Sequence, residues 1–320
     1  MATANKRSSQ RNPLDRLVKG LTPRIREFSS GLHLFSSNIT AMAGLIMVLF
    51  IFFLAITAPI LIPAAKPSDP LWIPKDFMDP KPPMAEGHPL GTGALGSDLL
   101  YGVVWGARTT VIVSLIVIFF SAVIGIAVGA IAGYFGGRID EVIMRITDVF
   151  LSLPALVLAM AVTAVLGGSL EMIMLALIIV WWPPYARLVR SQVLTVREST
   201  YVEAARAVGA RKSRILFRHI VPNSLSPMIV AITLDMGAVV LVTAALSFIG
   251  FGVQTGYAEY GKMVADGQAW MFRTVVYEGV TYYGAWWAVT IPGLMILIYT
   301  MGFSLVGDAL RDIMDPRLRR

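Results

Sequence analysis

Residues Tyr201–Pro222, YVEAARAVGARKSRILFRHIVP, form a polar, basic island between two strongly apolar stretches. Tyr201–Val208 predicts a short helix carrying Glu203, Ala204 and Ala205, and Gly209 permits a sharp backbone turn. Lys212–His219 predicts a second short helix, ended by Pro222. Small alanines let a partner surface come close. One glutamate among Arg206, Arg211, Arg214 and Arg218 offers charge complementarity that sets register and orientation more than affinity. The same residues also fit a solvated basic helix lying on a lipid surface.

The residues on either side of this island exclude a soluble enzyme. Apolar side chains make up 56% of the 320 residues and charged ones 15%, with a mean hydropathy of +0.69. Ordinary globular domains carry roughly 25% charged residues. The apolar runs are 39–62, 109–133, 146–166, 172–189, 228–251 and 288–306, each near the roughly 20 residues that cross a hydrocarbon core. They predict an all-α polytopic membrane protein with six transmembrane helices. Of the 27 Lys and Arg, 21 fall on one side of these spans: the N-terminal tail, Arg138 and Arg145, Arg187–Arg218 and the C-terminal tail. By the positive-inside rule both termini and the basic island face the cytoplasm. The chain then divides into a basic tail (1–38), a first span (39–62), an extracytoplasmic loop (63–106), a five-helix domain (107–308) whose loop covers about 190–225, and a second tail (309–320).

The net charge of +7 reports this topology rather than nucleic acid binding. The basic tail suits attraction to anionic head groups and is too long and polar before its apolar run for a signal peptide. With no cysteine and three scattered histidines (His33, His88, His219), no metal site is assigned. Two phosphate-loop lookalikes fail on context. Gly91-x-Gly93-x-x-Gly96 lacks a preceding strand, and Gly256-x-x-x-x-Gly261-Lys262 is followed by Met263 where magnesium needs Ser or Thr. Nothing therefore predicts an ATPase or any cofactor within this chain. Within the spans, Gly125, Gly129 and Gly133 share one helix face and predict close packing. Asp235 is an ionisable group in an apolar run and the candidate for lining a translocation path; a carboxyl satisfied by water or a backbone donor near the inner end is the alternative.

The spacing Glu203-Ala204-Ala205, Gly209, His219-Ile220-Val221-Pro222 resembles the docking loop of ABC-importer permeases, with His219 and Val221 in place of Ile and Leu. Three further segments resemble the C-type permease of dipeptide and oligopeptide ABC importers. They are His88–Asp98, with Gly93 and Ser97 departing from an Asp and an Arg; Leu246–Gln254; and Gly307–Arg319. After Gln254 the chain departs from the Pro-rich turn of that family, and Trp270–Trp287 is longer. The resemblance implies a type I ABC-importer transmembrane domain in the inner membrane of a prokaryote. It implies a homologous second permease, two cytoplasmic ATPases that hold ATP and magnesium, and an extracytoplasmic substrate-binding protein. Docking then falls to Glu203, Ala204, Ala205, Gly209, Arg211, Arg218, His219 and Pro222, and the cargo is a peptide or, in similar permeases, an oligosaccharide or nickel complex. An ion-coupled secondary transporter needs ionisable pairs or broken helices in two repeated halves, and a membrane-embedded enzyme needs clustered reactive side chains.

Overall fold

The computed structural model describes residues 35–314, so most of the basic tail and the segment from Asp315 onward lie outside the described residues. Five helices are long and apolar enough to cross a bilayer: α1 (Ile39–Leu61), α2 (Leu99–Phe135), α5 (Leu170–Arg197), α9 (Ser226–Ile249) and α11 (Trp287–Met314). The remaining apolar run folds as a bent pair of helices. α3 (Gly137–Leu151) and α4 (Ala155–Leu166) meet at 88°, where the sequence pattern predicts one straight span over 146–166. Pro154 is the cause: it caps α4 at φ −56°, ψ 128°, and its ring disfavours a helical conformation at Leu153. The 12 residues of α4 rise only about 18 Å, little more than half of a hydrocarbon core.

Two other boundaries differ from the hydropathy pattern. α2 starts at Leu99, ahead of its apolar run, because the Asp98 carboxylate caps the Tyr101 N–H at 2.7 Å. Leu99–Gly106 is thus buried helix, and the preceding loop ends at Asp98 rather than at 106. α11 continues past 308 to Met314, since Asp308, Arg311 and Asp312 end the hydropathy but not the helix.

The most extensive contact joins α2 to α5. A Cβ on Gly125 would lie 2.4 Å from the Tyr185 Cβ, one on Gly129 2.3 Å from the Ala186 carbonyl oxygen, and one on Gly133 2.9 Å from that of Arg190. These glycines therefore set the helix separation, as their spacing predicts. α1 lies against α11, where Gly44 meets Leu305 and Gly302, and α11 also packs on α9.

At one end of the bundle, the loop 63–98, the short helix α10 (Tyr260–Gln268) and an antiparallel hairpin, β1 (Thr274–Tyr277) and β2 (Val280–Tyr283), pack together. The hairpin lies within the segment Trp270–Trp287. Tyr101 Oη donates to the Pro70 carbonyl at 2.7 Å, Trp105 Nε1 to that of Ile62 at 3.1 Å and Trp287 Nε1 to that of Thr92 at 3.1 Å. His88 Nδ1 lies 2.7 Å from Asp98 Oδ2, so one carboxylate both caps α2 and holds the loop.

Candidate functional site

At the opposite end, α5 runs directly into the basic island, which folds as α6 (Thr200–Ala207), α7 (Lys212–Ile215), a π-helical turn (Leu216–Ile220) and α8 (Val221–Ser224). Gly209 has φ +78° with nothing within 4 Å of a would-be Cβ. Its N–H reaches the Arg206 carbonyl at 2.9 Å, and the Ala210 N–H reaches that of Ala205 at 3.1 Å. These two bonds form a Schellman motif, which needs a left-handed residue and an apolar contact between its ends. Ala205 and Ala210 supply that contact as partly buried residues packed against the core. Of Glu203, Ala204 and Ala205, Ala205 is thus a packing residue, while Glu203 and Ala204 face outward.

Pro222 does not end the second arm. It sits in the first turn of α8, and the hydrogen bonding widens ahead of it: the Val221 N–H bonds the Leu216 carbonyl, five residues back. Because Pro222 lacks an N–H, the ladder cannot continue in α register, and Asn223 Nδ2 takes up the His219 carbonyl at 2.6 Å. Ile215, Leu216 and Ile220 are buried, and His219 is half-buried beside them. The outward face holds Arg211, Arg214 and Arg218 with two large apolar side chains, Val208 (84% exposed) and Phe217 (71%). Val208, Arg211, Arg214 and Phe217 edge a cleft of about 800 Å3. Sequence reasoning missed Val208 and Phe217. Their signal was available, since each is a large apolar residue in a basic segment on the side opposite the buried isoleucines.

The end of α5 that carries this loop is fixed by charge. Arg190 grips Asp140 of α3 at two points, 2.5 and 2.6 Å. Arg187 reaches Asp148 at 2.5 Å, and Arg197 Nη1 caps the carbonyls of Gly133 and Tyr134 at 3.1 and 3.3 Å.

Asp235 is not part of the loop. It projects from α9 toward α5, where its carboxylate lies beside the Tyr185 hydroxyl and the Trp181 indole. These two side chains bracket Pro183–Pro184, a pair that removes two N–H groups from the middle of α5. The buried Tyr185 hydroxyl makes no hydrogen bond among the described residues, so the carboxylate lies near that group without being bonded to it.

At the far end the Gly256–Lys262 lookalike is filled from within. Glu259 Oε1 accepts from the Gly261 N–H at 2.9 Å and Oε2 from that of Lys262 at 2.8 Å, so the donors a phosphate needs are already bonded. Burial pushes the Glu259 carboxyl above the usual carboxylate range, against the opposing pull of the Ser247 hydroxyl, these two N–H groups and the Lys262 ammonium. Among the described residues no group of three or more His, Cys, Asp or Glu is placed to hold a metal.

Residues 125–320 match the family described as the binding-protein-dependent transport system inner membrane component, and residues 29–80 match the N-terminal transmembrane domain of oligopeptide transport permease C. The dipeptide transport system permease protein DppC of Alkalihalophilus pseudofirmus is 38% identical over 88% of this chain and 87% of its own length. The oligopeptide transport system permease protein OppC of Bacillus subtilis is 35% identical over 89% and 88%. The probable D,D-dipeptide transport system permease protein DdpC of Escherichia coli is 42% identical over 73% and 75%. Among solved structures, an inward-facing form of the MetNI methionine ABC transporter aligns with 67% of this chain and 97% of its own, at a TM-score of 0.52 and 21% identity, a likeness of fold.

Proposed function

This chain belongs to the family of binding-protein-dependent transport system inner-membrane components, and from that premise we propose that it moves short peptides across the prokaryotic cytoplasmic membrane as one half of a permease pair. The names of its relatives support peptide cargo. The orientation follows the positive-inside count, with both termini and the 200–224 loop on the cytoplasmic side and the 63–98 loop outside. Two ATPases dock on the loops, and a solute-binding protein delivers cargo from outside. The chain performs no bond chemistry: ATP and magnesium belong to the ATPases, whose closure shifts the pair between outward- and inward-facing states.

The observation that carries the docking role is the outward face of the loop. Val208 and Phe217 fit the pattern of apolar anchors rimmed by charge, Arg211, Arg214 and Arg218 supply that rim, and Glu203 and Ala204 stay exposed beside it. His219 and Pro222 act behind that face by shaping the second arm. Asp235 borders the translocation path along the α5–α9 seam.

The test is twofold. A tagged chain, solubilised gently from native membranes, should bring down a second permease and ATPases; isolation of the chain alone would overturn the importer reading. Glu203→Lys and Gly209→Pro should leave membrane insertion intact and abolish ATP-dependent dipeptide uptake. Normal uptake in both would remove the docking role.

A further inference from the structure

At the outer end of the α5–α9 seam lies a cleft of about 770 Å3, bounded by the first external loop, the α4–α5 turn and the segment between α9 and α10. This volume is within the range of small-ligand sites, roughly 300–1,000 Å3. Its walls carry charge of both signs on separate elements. Asp69 comes from the external loop, Glu171 from the first turn of α5 and Lys262 from α10. Among the described residues neither Asp69 nor Glu171 joins an ion pair, whereas Lys262 Nζ meets Asp266 at 3.0 Å. Tyr257 Oη donates to Asp69 Oδ1 at 3.3 Å. The Tyr257 ring meets Trp72 edge-on at 6.3 Å, which stiffens the wall. Two more lysines face this region: Lys66 and Lys75 stack on Trp72 at 5.2 and 4.6 Å, and Lys75 Nζ donates to the Thr255 carbonyl at 2.9 Å.

We propose that this cleft receives a zwitterionic short peptide, with Asp69 and Glu171 facing its ammonium and Lys262 its carboxylate. The inference rests on the peptide reading above and adds where such a solute is first held. Two carboxylates outside any ion pair among the described residues and a cation shared with Asp266 match a molecule with both termini free, and discriminate against one with either end blocked. The site lies on the route that reading requires. Glu171 and Tyr185 are on the same helix, about 21 Å apart by helical rise, so the cleft stands over the seam that holds Asp235.

The chain contains no cysteine, so Gln254→Cys in the lining gives it one thiol. In proteoliposomes holding the permease–ATPase complex, labelling of that thiol by an impermeant reagent is measured with dialanine, N-acetyl-dialanine or dialanine amide. Dialanine should slow labelling about fivefold, while either blocked peptide should need about tenfold more for the same effect. Adding Asp69→Asn and Glu171→Gln should make dialanine and its N-acetyl form protect alike. Adding Lys262→Gln should do the same for dialanine and its amide, with peptide-free labelling unchanged in both backgrounds. Equal protection by all three peptides, or none, overturns the proposal. Uptake of dialanine by the complete importer separates the two readings: uptake without protection removes the cleft alone, and protection without uptake removes the cargo reading and leaves the cleft.

Discussion

Asp140 of α3 and Arg190 of α5 form a two-point ion pair, Oδ1 to Nε at 2.5 Å and Oδ2 to Nη2 at 2.6 Å, in which Asp140 is 15% exposed and Arg190 31%. It ties the first half of the bent helix pair to the helix that leads into the basic loop. Movement of one is therefore felt by the other.

Asp140→Asn and Arg190→Gln should each lower the thermal midpoint of the purified complex. In a double-mutant cycle the two should couple by about 1–2 kcal/mol, as a part-buried bidentate pair does. A coupling near zero would mean the pair is a bystander.

Gly129→Leu should yield no monodisperse protein, and Gly129→Ala a reduced amount, because a Cβ there lies 2.3 Å from the Ala186 carbonyl oxygen. Gly293→Ala in α11 should be harmless or slightly stabilising, since nothing lies within 4 Å of its would-be Cβ. Size-exclusion profiles of the two alanine variants decide it, and equal profiles would refute close packing as the purpose of Gly129.

Val208→Ala and Phe217→Ala should each weaken ATPase association by about 1–3 kcal/mol, the usual scale of an apolar anchor. Lys212→Ala, on the exposed start of α7, should cost far less. Titrating purified ATPase onto the permease pair in nanodiscs gives the numbers. Three equal losses would deny these two side chains an anchoring role.

Glu259 gives a pH signature. Its carboxyl is raised by burial, so the folded chain binds more protons than the unfolded one once pH exceeds the ordinary carboxylate value of about 4.3. This group's contribution to stability therefore falls as pH rises through its raised value, and is constant above it. Glu259→Gln should remove that decline, making the thermal midpoint of the variant relative to the parent improve from pH 5 toward pH 8. Parallel midpoint curves would contradict the assignment.

The apolar runs revealed the crossings because lipid leaves a compositional signature, and Gly209 revealed its turn because little besides glycine is at ease at φ +78°. Features made by distant residues stayed hidden. The seating of the first turns of α2 against the 63–98 loop depends on Tyr101 and Trp105 finding carbonyls at Pro70 and Ile62, contacts that no local pattern encodes. The 88° bend was written in Pro154, but continuous hydropathy across 146–166 masked it. In the loop, Gly209, Arg211 and exposed Glu203 were legible from residue type. The inward packing of Ala205 and the passage of the helix through Pro222 were not, because both depend on how the arms fold back on α5. Asp235 stood out as costly, whereas its neighbours Trp181 and Tyr185 looked like ordinary span residues.

The side-by-side packing of α1 and α11 bears on biogenesis. The first of the described spans to leave the ribosome closes against the last of them, through Gly44 beside Gly302 and Leu305. At roughly 5–20 residues per second, α1 must wait for on the order of ten seconds to most of a minute before that surface is made. During this interval its small-residue face is open to insertases, chaperones and membrane proteases. A chain stopped before residue 287 would keep that face open for good, giving quality control a physical mark by which to tell an unfinished permease from a finished one.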